Sequence, residues 1–290
     1  MLKEELKSFA KEIGIDLVGI APIERFKDVP PERHPSSIFP EAKTVIVLAQ
    51  EIPRGTFRGI EEGTLWMRAP RQIAPRYTYR IARFLEDRGW EGVPVAPLPP
   101  ERWPEGIPVA KSGVAPNVSP SLEYAAVAAG LGEIGFCRIF LTPQFGPRQS
   151  LGMVITDAVI EGDPIFNGTV CDKEDCLECV SNCSLNAISR DDIETIVIAG
   201  KEMRCGKVNF KACKLCPQGV YLDEASQRAT PTTNIDYLGK KTIEEISLNR
   251  LSSACVRACI THLEKTGRVT KRYNTPFRIR EPWKLGIFDV

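Results

Sequence analysis

Apolar positions along the chain fall into two periods. Over residues 2–13, Leu2, Leu6, Phe9 and Ile13 recur at helical spacing, and Gly14 closes the helix they predict. Residues 15–21 read as a short strand. Residues 22–40 are a proline-rich loop. Residues 43–49 hold the branched run Thr44-Val-Ile-Val-Leu48, which predicts a central strand. A second helix is predicted over 77–90, with Tyr77, Ile81, Phe84 and Leu85 on one face and Pro75 just upstream. Further strands are predicted over 93–96, 151–158 and 193–199. A short helix over 122–129 has Ser121 as its cap and Glu123 in its first turn. Helices mixed with strands in this order predict an α+β fold.

Between these elements lie connectors. Residues 51–73 interleave Gly55, Gly59 and Gly63 with Arg54, Arg58, Arg68 and Arg71, a basic loop where an anionic ligand could lie. Residues 98–108 form a proline-rich connector around Trp103, and residues 111–120 are polar and turn-rich. Gly130 and Gly132 break the short helix. With Gly135 and Gly146 they remove side-chain bulk from one stretch, which allows either a close backbone approach or a wide flat ligand.

The chain has 290 residues, 43% of them apolar, enough for a full core with a smaller appendage. A net charge of +1 gives no field to attract nucleic acid or an anionic membrane. No apolar run approaches the roughly 20 residues needed to cross a bilayer. Residues 1–11 are charged and amphipathic rather than a secretory segment, so a cytoplasmic protein is expected. In that reducing compartment, clustered cysteines favour metal over disulfides.

Cysteine changes the picture most. Nine of the ten lie between 171 and 259, and Cys137 stands apart. Cys176, Cys179 and Cys183 keep the C-x2-C-x3-C tail of a ferredoxin-like cluster loop, with Cys171 two residues further upstream than that pattern places it. Cys205, the pair Cys213 and Cys216 followed by Pro217, and then Cys255 and Cys259 complete the set. With only His34 and His262 available, a histidine-rich catalytic metal site is excluded and thiolate ligation is favoured. Two [4Fe–4S] clusters are expected, and a zinc-stabilised structural domain is the chemical rival.

Gly130-Leu-Gly132-Glu-Ile-Gly135, Leu141-Thr142-Pro143, Phe145-Gly146-Pro147-Arg148 and Thr156-Asp157 precede the cysteine loop in fixed order. This arrangement resembles the corrinoid iron–sulfur reductases, the epoxyqueuosine reductases and reductive dehalogenases, most clearly over residues 120–220. The resemblance implies a nitroreductase-like corrinoid-binding α/β sandwich over residues 1–165 and a ferredoxin-like dicluster module over 166–265. Residues 266–290 would be an extension packing back on the core. It implies cobalamin, with flavin as the lesser alternative, lined by Gly130, Gly132, Gly135, Thr142, Gly146 and Arg148. Cys171, Cys176 and Cys179 would hold the first cluster; Cys183, Cys205, Cys213 and Cys216 the second. The relatives complete the first cluster with a cysteine where this chain has Val220, so either Cys255 or Cys259 folds back to supply the eighth ligand or the first cluster has another fourth ligand. The reductases use an aspartate or tyrosine as proton donor; here Tyr124 and Glu123 are the nearest proton-bearing groups.

The activity so implied is an oxidoreductase that reduces a small molecule through Co(I) corrinoid, fed by a low-potential donor such as ferredoxin or flavodoxin. The alternative is an electron-transfer or corrinoid-handling protein without substrate turnover.

Overall fold

A computed structural model describes residues 2–57, 73–95, 120–183, 185–214, 251 and 253–277. Four strands make the main sheet: β1 (Leu17–Pro22), β2 (Thr44–Glu51), β3 (Gly92–Val95) and β6 (Gln149–Thr156). Their order is β1-β2-β6-β3 and every pair is antiparallel. The branched run at 44–48 is therefore central, as its composition requires: Ile46 faces Val154 and Val47 faces Met153 across the ladder.

Both faces of the sheet are covered, and strand alternation sorts the side chains between them. Ile46, Leu48 and Val154 pack with Leu6, Ala10, Ile81 and Leu85. These come from α1 (Leu2–Glu12) and α2 (Pro75–Glu86). Val45, Val47, Met153 and Ile155 face the other way, onto Ala125, Ala126 and Val127 of α3 (Leu122–Ala128). Ser121 caps α3 by accepting the Tyr124 N–H at 3.3 Å, as the sequence predicts. Helix α2 starts two residues earlier than its apolar stripe indicates, because Pro75 occupies the first turn, where its missing N–H costs nothing. The result is a mixed α+β fold with helices on both faces of one antiparallel sheet.

A small hairpin, β4 (Glu133–Ile134) and β5 (Phe140–Leu141), follows α3. The cysteine loop contains α4 (Glu178–Ser181), and beyond it comes a long hairpin of β7 (Ile188–Ile198) and β8 (Lys201–Val208). Then follow α5 (Phe210–Lys214) and α6 (Ala254–Thr266). The hairpin turn at Ala199–Gly200 has φ of 50° and 80°, the left-handed pair that suits two-residue turns. Two apolar clusters draw on residues from both sides of position 165. One joins Ile196, Ile198, Met203 and Cys205 to the sheet's α3 face, and the other joins Phe136, Cys137, Ile139 and Leu141 to Cys179, Val208 and Val256. Among the described residues no helix is long and apolar enough to cross a membrane.

Candidate metal centre

Glu133 builds the entrance to the cysteine loop. It is buried, and its Oε1 accepts the N–H groups of Val170 and Cys171 at 2.6 and 2.8 Å. Lys201 lies 3.8 Å from its other oxygen and donates to the carbonyls of Phe166 and Gly168. A buried carboxylate satisfied by two N–H groups and a cation is a stable arrangement, and here it fixes where Cys171 begins the loop.

The loop then curls through Lys173, Leu177 and Asn186, all with positive φ. Non-glycine residues rarely adopt that conformation. Its effect is to turn amides toward sulfur. Cys171 Sγ accepts the N–H groups of Phe136 and Lys173 at 3.4 and 3.3 Å, and Cys183 Sγ accepts the Ala187 N–H at 3.2 Å. Asp172 is held by His262 and Arg268, which ties the loop to α6. Helix α4, carrying Cys179, packs on α6, which carries Cys255 and Cys259 one turn apart on one side. Cys255 is engaged locally, 2.9 Å from Ser253 Oγ.

Cys137, Cys179 and Cys255 are buried in one apolar cluster, with Cys171, Cys183, Cys213 and Cys259 packed against it. Cys205 lies on β8 beside them, buried in the adjoining cluster. No disulfide joins the nine described cysteines; Cys216 lies outside the described residues. Burial pushes the Cys171 thiol up to about 11 and that of Cys205 to about 12, and raises Cys259 well above the ordinary range. Neighbouring thiols add to each shift. Sequence distance misplaces Cys137: folding brings it into this group.

Buried thiols with amides directed at sulfur are the donor chemistry that an iron–sulfur cluster needs. Among the described residues no group of three or more His, Cys, Asp or Glu side chains is already placed to hold a metal ion.

The glycine stretch is tightly packed. A Cβ on Gly130 would meet Pro164 O at 2.0 Å, and one on Gly132 would meet Leu141 O at 1.9 Å. On Gly135 it would meet the Leu141 side chain, and on Gly146 that of Leu263. The space a side chain would take at these glycines is filled by the protein's own atoms, so close packing accounts for the lack of side chains there. Thr142 is buried, bonded to Gln149 at 3.0 Å. Arg148 is 1% exposed, donating to Glu51 Oε1 at 2.9 Å and the Ile52 carbonyl at 3.1 Å. Burial opposes the charge on Glu51, yet hydrogen bonds from Lys271 and Arg148 hold its carboxyl below the usual range.

Tyr124 and Glu123 come together as walls of one cavity of about 210 Å³, with Arg33, Ser121, Arg138 and Phe210. Arg138 bonds the Tyr124 hydroxyl at 3.1 Å and Glu194 at 2.5 Å. Of the basic loop, Arg54 reaches Glu264 at 3.0 Å, while Arg58, Arg68 and Arg71 lie outside the described residues, as do Val220 and the connector at 98–108. Sequence reasoning missed Glu133 and Lys201; a lone glutamate in the apolar run after Gly132 was the available signal.

No protein-family model matches the chain, and no curated protein does. Similar solved structures include epoxyqueuosine reductase from Streptococcus thermophilus, at 17% identity and a TM-score of 0.47, covering 86% of this chain and 69% of that one. The Bacillus subtilis epoxyqueuosine reductase shares 14% identity with a TM-score of 0.49, covering 92% and 83%. A catabolic reductive dehalogenase shares 17% identity with a TM-score of 0.48; this chain covers 38% of its length.

Proposed function

We propose that this chain is an iron–sulfur oxidoreductase of the corrinoid-reductase kind. The observation that carries the iron–sulfur half is the gathering of cysteines from five separate segments. These are the turn before β5, the 171–183 loop, β8, α5 and α6, which meet around apolar side chains, with N–H groups directed at the Cys171 and Cys183 sulfurs. In this reading Cys171, Cys176 and Cys179 bind the first [4Fe–4S] cluster, and Cys183, Cys205, Cys213 and Cys216 the second. The first cluster takes its fourth thiolate from outside the loop, and α6 brings Cys255 and Cys259 toward it.

Such clusters supply one-electron transfer, and a corrinoid, when bound, supplies a strongly reducing cobalt. The chain's own part is to hold the thiolates, exclude water from them and keep a proton source nearby. Tyr124, anchored by Arg138, and Glu123 fill that last role in the cavity they share. The donor is a low-potential ferredoxin or flavodoxin, and the substrate a small molecule.

The corrinoid half rests on the order of the Gly, Thr-Pro and Gly-Pro-Arg motifs. Anaerobic titration with cobalamin, followed by its spectrum, tests it. Saturable binding and electron transfer from the reduced clusters are expected. Binding of neither cobalamin nor flavin, with the clusters intact, would leave an electron-transfer protein.

A further inference from the structure

We propose that Glu133 tunes the first cluster, lowering its reduction potential through a buried negative charge that Lys201 offsets in part. This rests on the iron–sulfur reading above, with Cys171 as a first-cluster ligand.

Glu133 stands on β4 and is 1% exposed, so water does not screen its charge. Ile134 beside it is buried as well. A carboxylate in such surroundings carries a desolvation cost that a neutral side chain avoids. Holding backbone N–H groups does not by itself require one, since a glutamine offers the same acceptor oxygen. What the carboxylate adds is charge, and the fold delivers that charge to one place. Oε1 accepts the N–H groups of Val170 and Cys171 at 2.6 and 2.8 Å. The negative group is therefore bonded to the backbone of the residue whose sulfur binds iron.

The direction of the amides agrees with this. Hydrogen bonds to a ligand sulfur favour the reduced state of a cluster. Phe136 and Lys173 donate such bonds to Cys171 Sγ at 3.4 and 3.3 Å. The Val170 and Cys171 N–H groups go to Glu133 instead.

Lys201 is the cation paired with Glu133 among the described residues, and its placement limits what it can cancel. Its Nζ lies 3.8 Å from Oε2, beyond hydrogen-bond reach and on the oxygen that does not face Cys171 N–H. The ammonium donates to Phe166 O and Gly168 O at 2.6 and 3.0 Å and lies 4.5 Å from the Phe166 ring centroid.

Reduction takes one electron from the low-potential donor and no proton, so the net charge at the cluster becomes one unit more negative. A fixed anion beside Cys171 opposes that change, and a fixed cation favours it. Glu133 thus makes the reduced cluster the stronger reductant without touching iron, and Lys201 moderates it.

The test is a potentiometric titration of the full chain, reconstituted anaerobically with ferrous iron and sulfide. Dithionite is added with redox mediators at about pH 8, well above the usual carboxylate range. Electron paramagnetic resonance follows each cluster, and circular dichroism and iron content report the fold. Glu133→Gln keeps the shape and an acceptor but removes the charge. Lys201→Met keeps the stem and removes the ammonium. One midpoint potential should move to a more positive value in Glu133→Gln, and the same one to a more negative value in Lys201→Met. The other cluster's potential should stay where it is in wild type. Loosening of the loop gives no reason for opposite signs, so shifts of both variants in one direction overturn the proposal. A Glu133→Gln protein with full iron and unmoved potentials overturns it too. If Glu133→Gln fails to hold iron, Lys201→Met decides: a more negative midpoint supports the proposal, and an unmoved or raised one overturns it. These outcomes leave the clusters themselves in place, whereas wild-type protein without iron or sulfide would overturn the iron–sulfur reading itself.

Discussion

Gly132 shows how one residue type can serve two readings. Removing a side chain makes room, and the sequence cannot say for what. In the folded chain the room is taken by Leu141 O, 1.9 Å from where a Cβ would stand. Gly132→Ala should therefore destabilise the protein by about 1–3 kcal/mol, the usual cost of overpacking. Gly55→Ala, with nothing within 4 Å of its Cβ, should be nearly neutral. Urea unfolding of both variants checks this. Equal midpoints would mean that the backbone at 132 is not held against 141, and a cavity there would return to consideration. Arg148 makes a similar point. The resemblance makes Arg148 a cofactor-lining residue; in the fold its guanidinium donates to Glu51 and the Ile52 carbonyl, contacts that no local pattern encodes.

The elements of the main sheet were legible because their patterns are strong. A β-branched run at 44–48 and an apolar stripe at 2–13 have few alternatives, and both form as predicted. Strand β8 was not seen, since Lys201-Glu-Met203-Arg-Cys205 reads as charged loop until its alternation is noticed. Met203 and Cys205 point inward while Glu202 and Arg204 are exposed. The hairpin β4–β5 is too short to announce itself, yet it sets the cysteine loop through Glu133. Replacing Glu133 with alanine leaves the Val170 and Cys171 N–H groups without their acceptor and removes the counter-charge beside Lys201, which keeps its two carbonyls. A loss of about 2–4 kcal/mol is expected, together with faster release of iron to a chelator, because the loop start is no longer fixed. Stability and release rate both at wild-type values would show that Val170 and Cys171 are held by something else.

For the whole molecule, sequence spacing grouped the cysteines by nearness in the chain, and folding groups them by segment. The C-x2-C pairs are local and could be read directly. Cys137 could not, because a turn 34 residues before Cys171 meets the ligand loop only through the packing of α3, the small hairpin and Glu133. The proton-bearing pair Tyr124 and Glu123 was chosen for nearness to the Gly-Leu-Gly stretch; the fold adds that they line one cavity with Arg138, the residue next to Cys137.

The central claim is that these thiols hold two [4Fe–4S] clusters. Its most direct measurement is the iron and acid-labile sulfide content of wild-type protein purified without oxygen, read with its absorption spectrum before and after dithionite. About eight irons and as many sulfides per chain are expected, with a broad brown absorption that bleaches on reduction. Stoichiometric zinc with no sulfide, in a colourless protein that dithionite leaves unchanged, would contradict it.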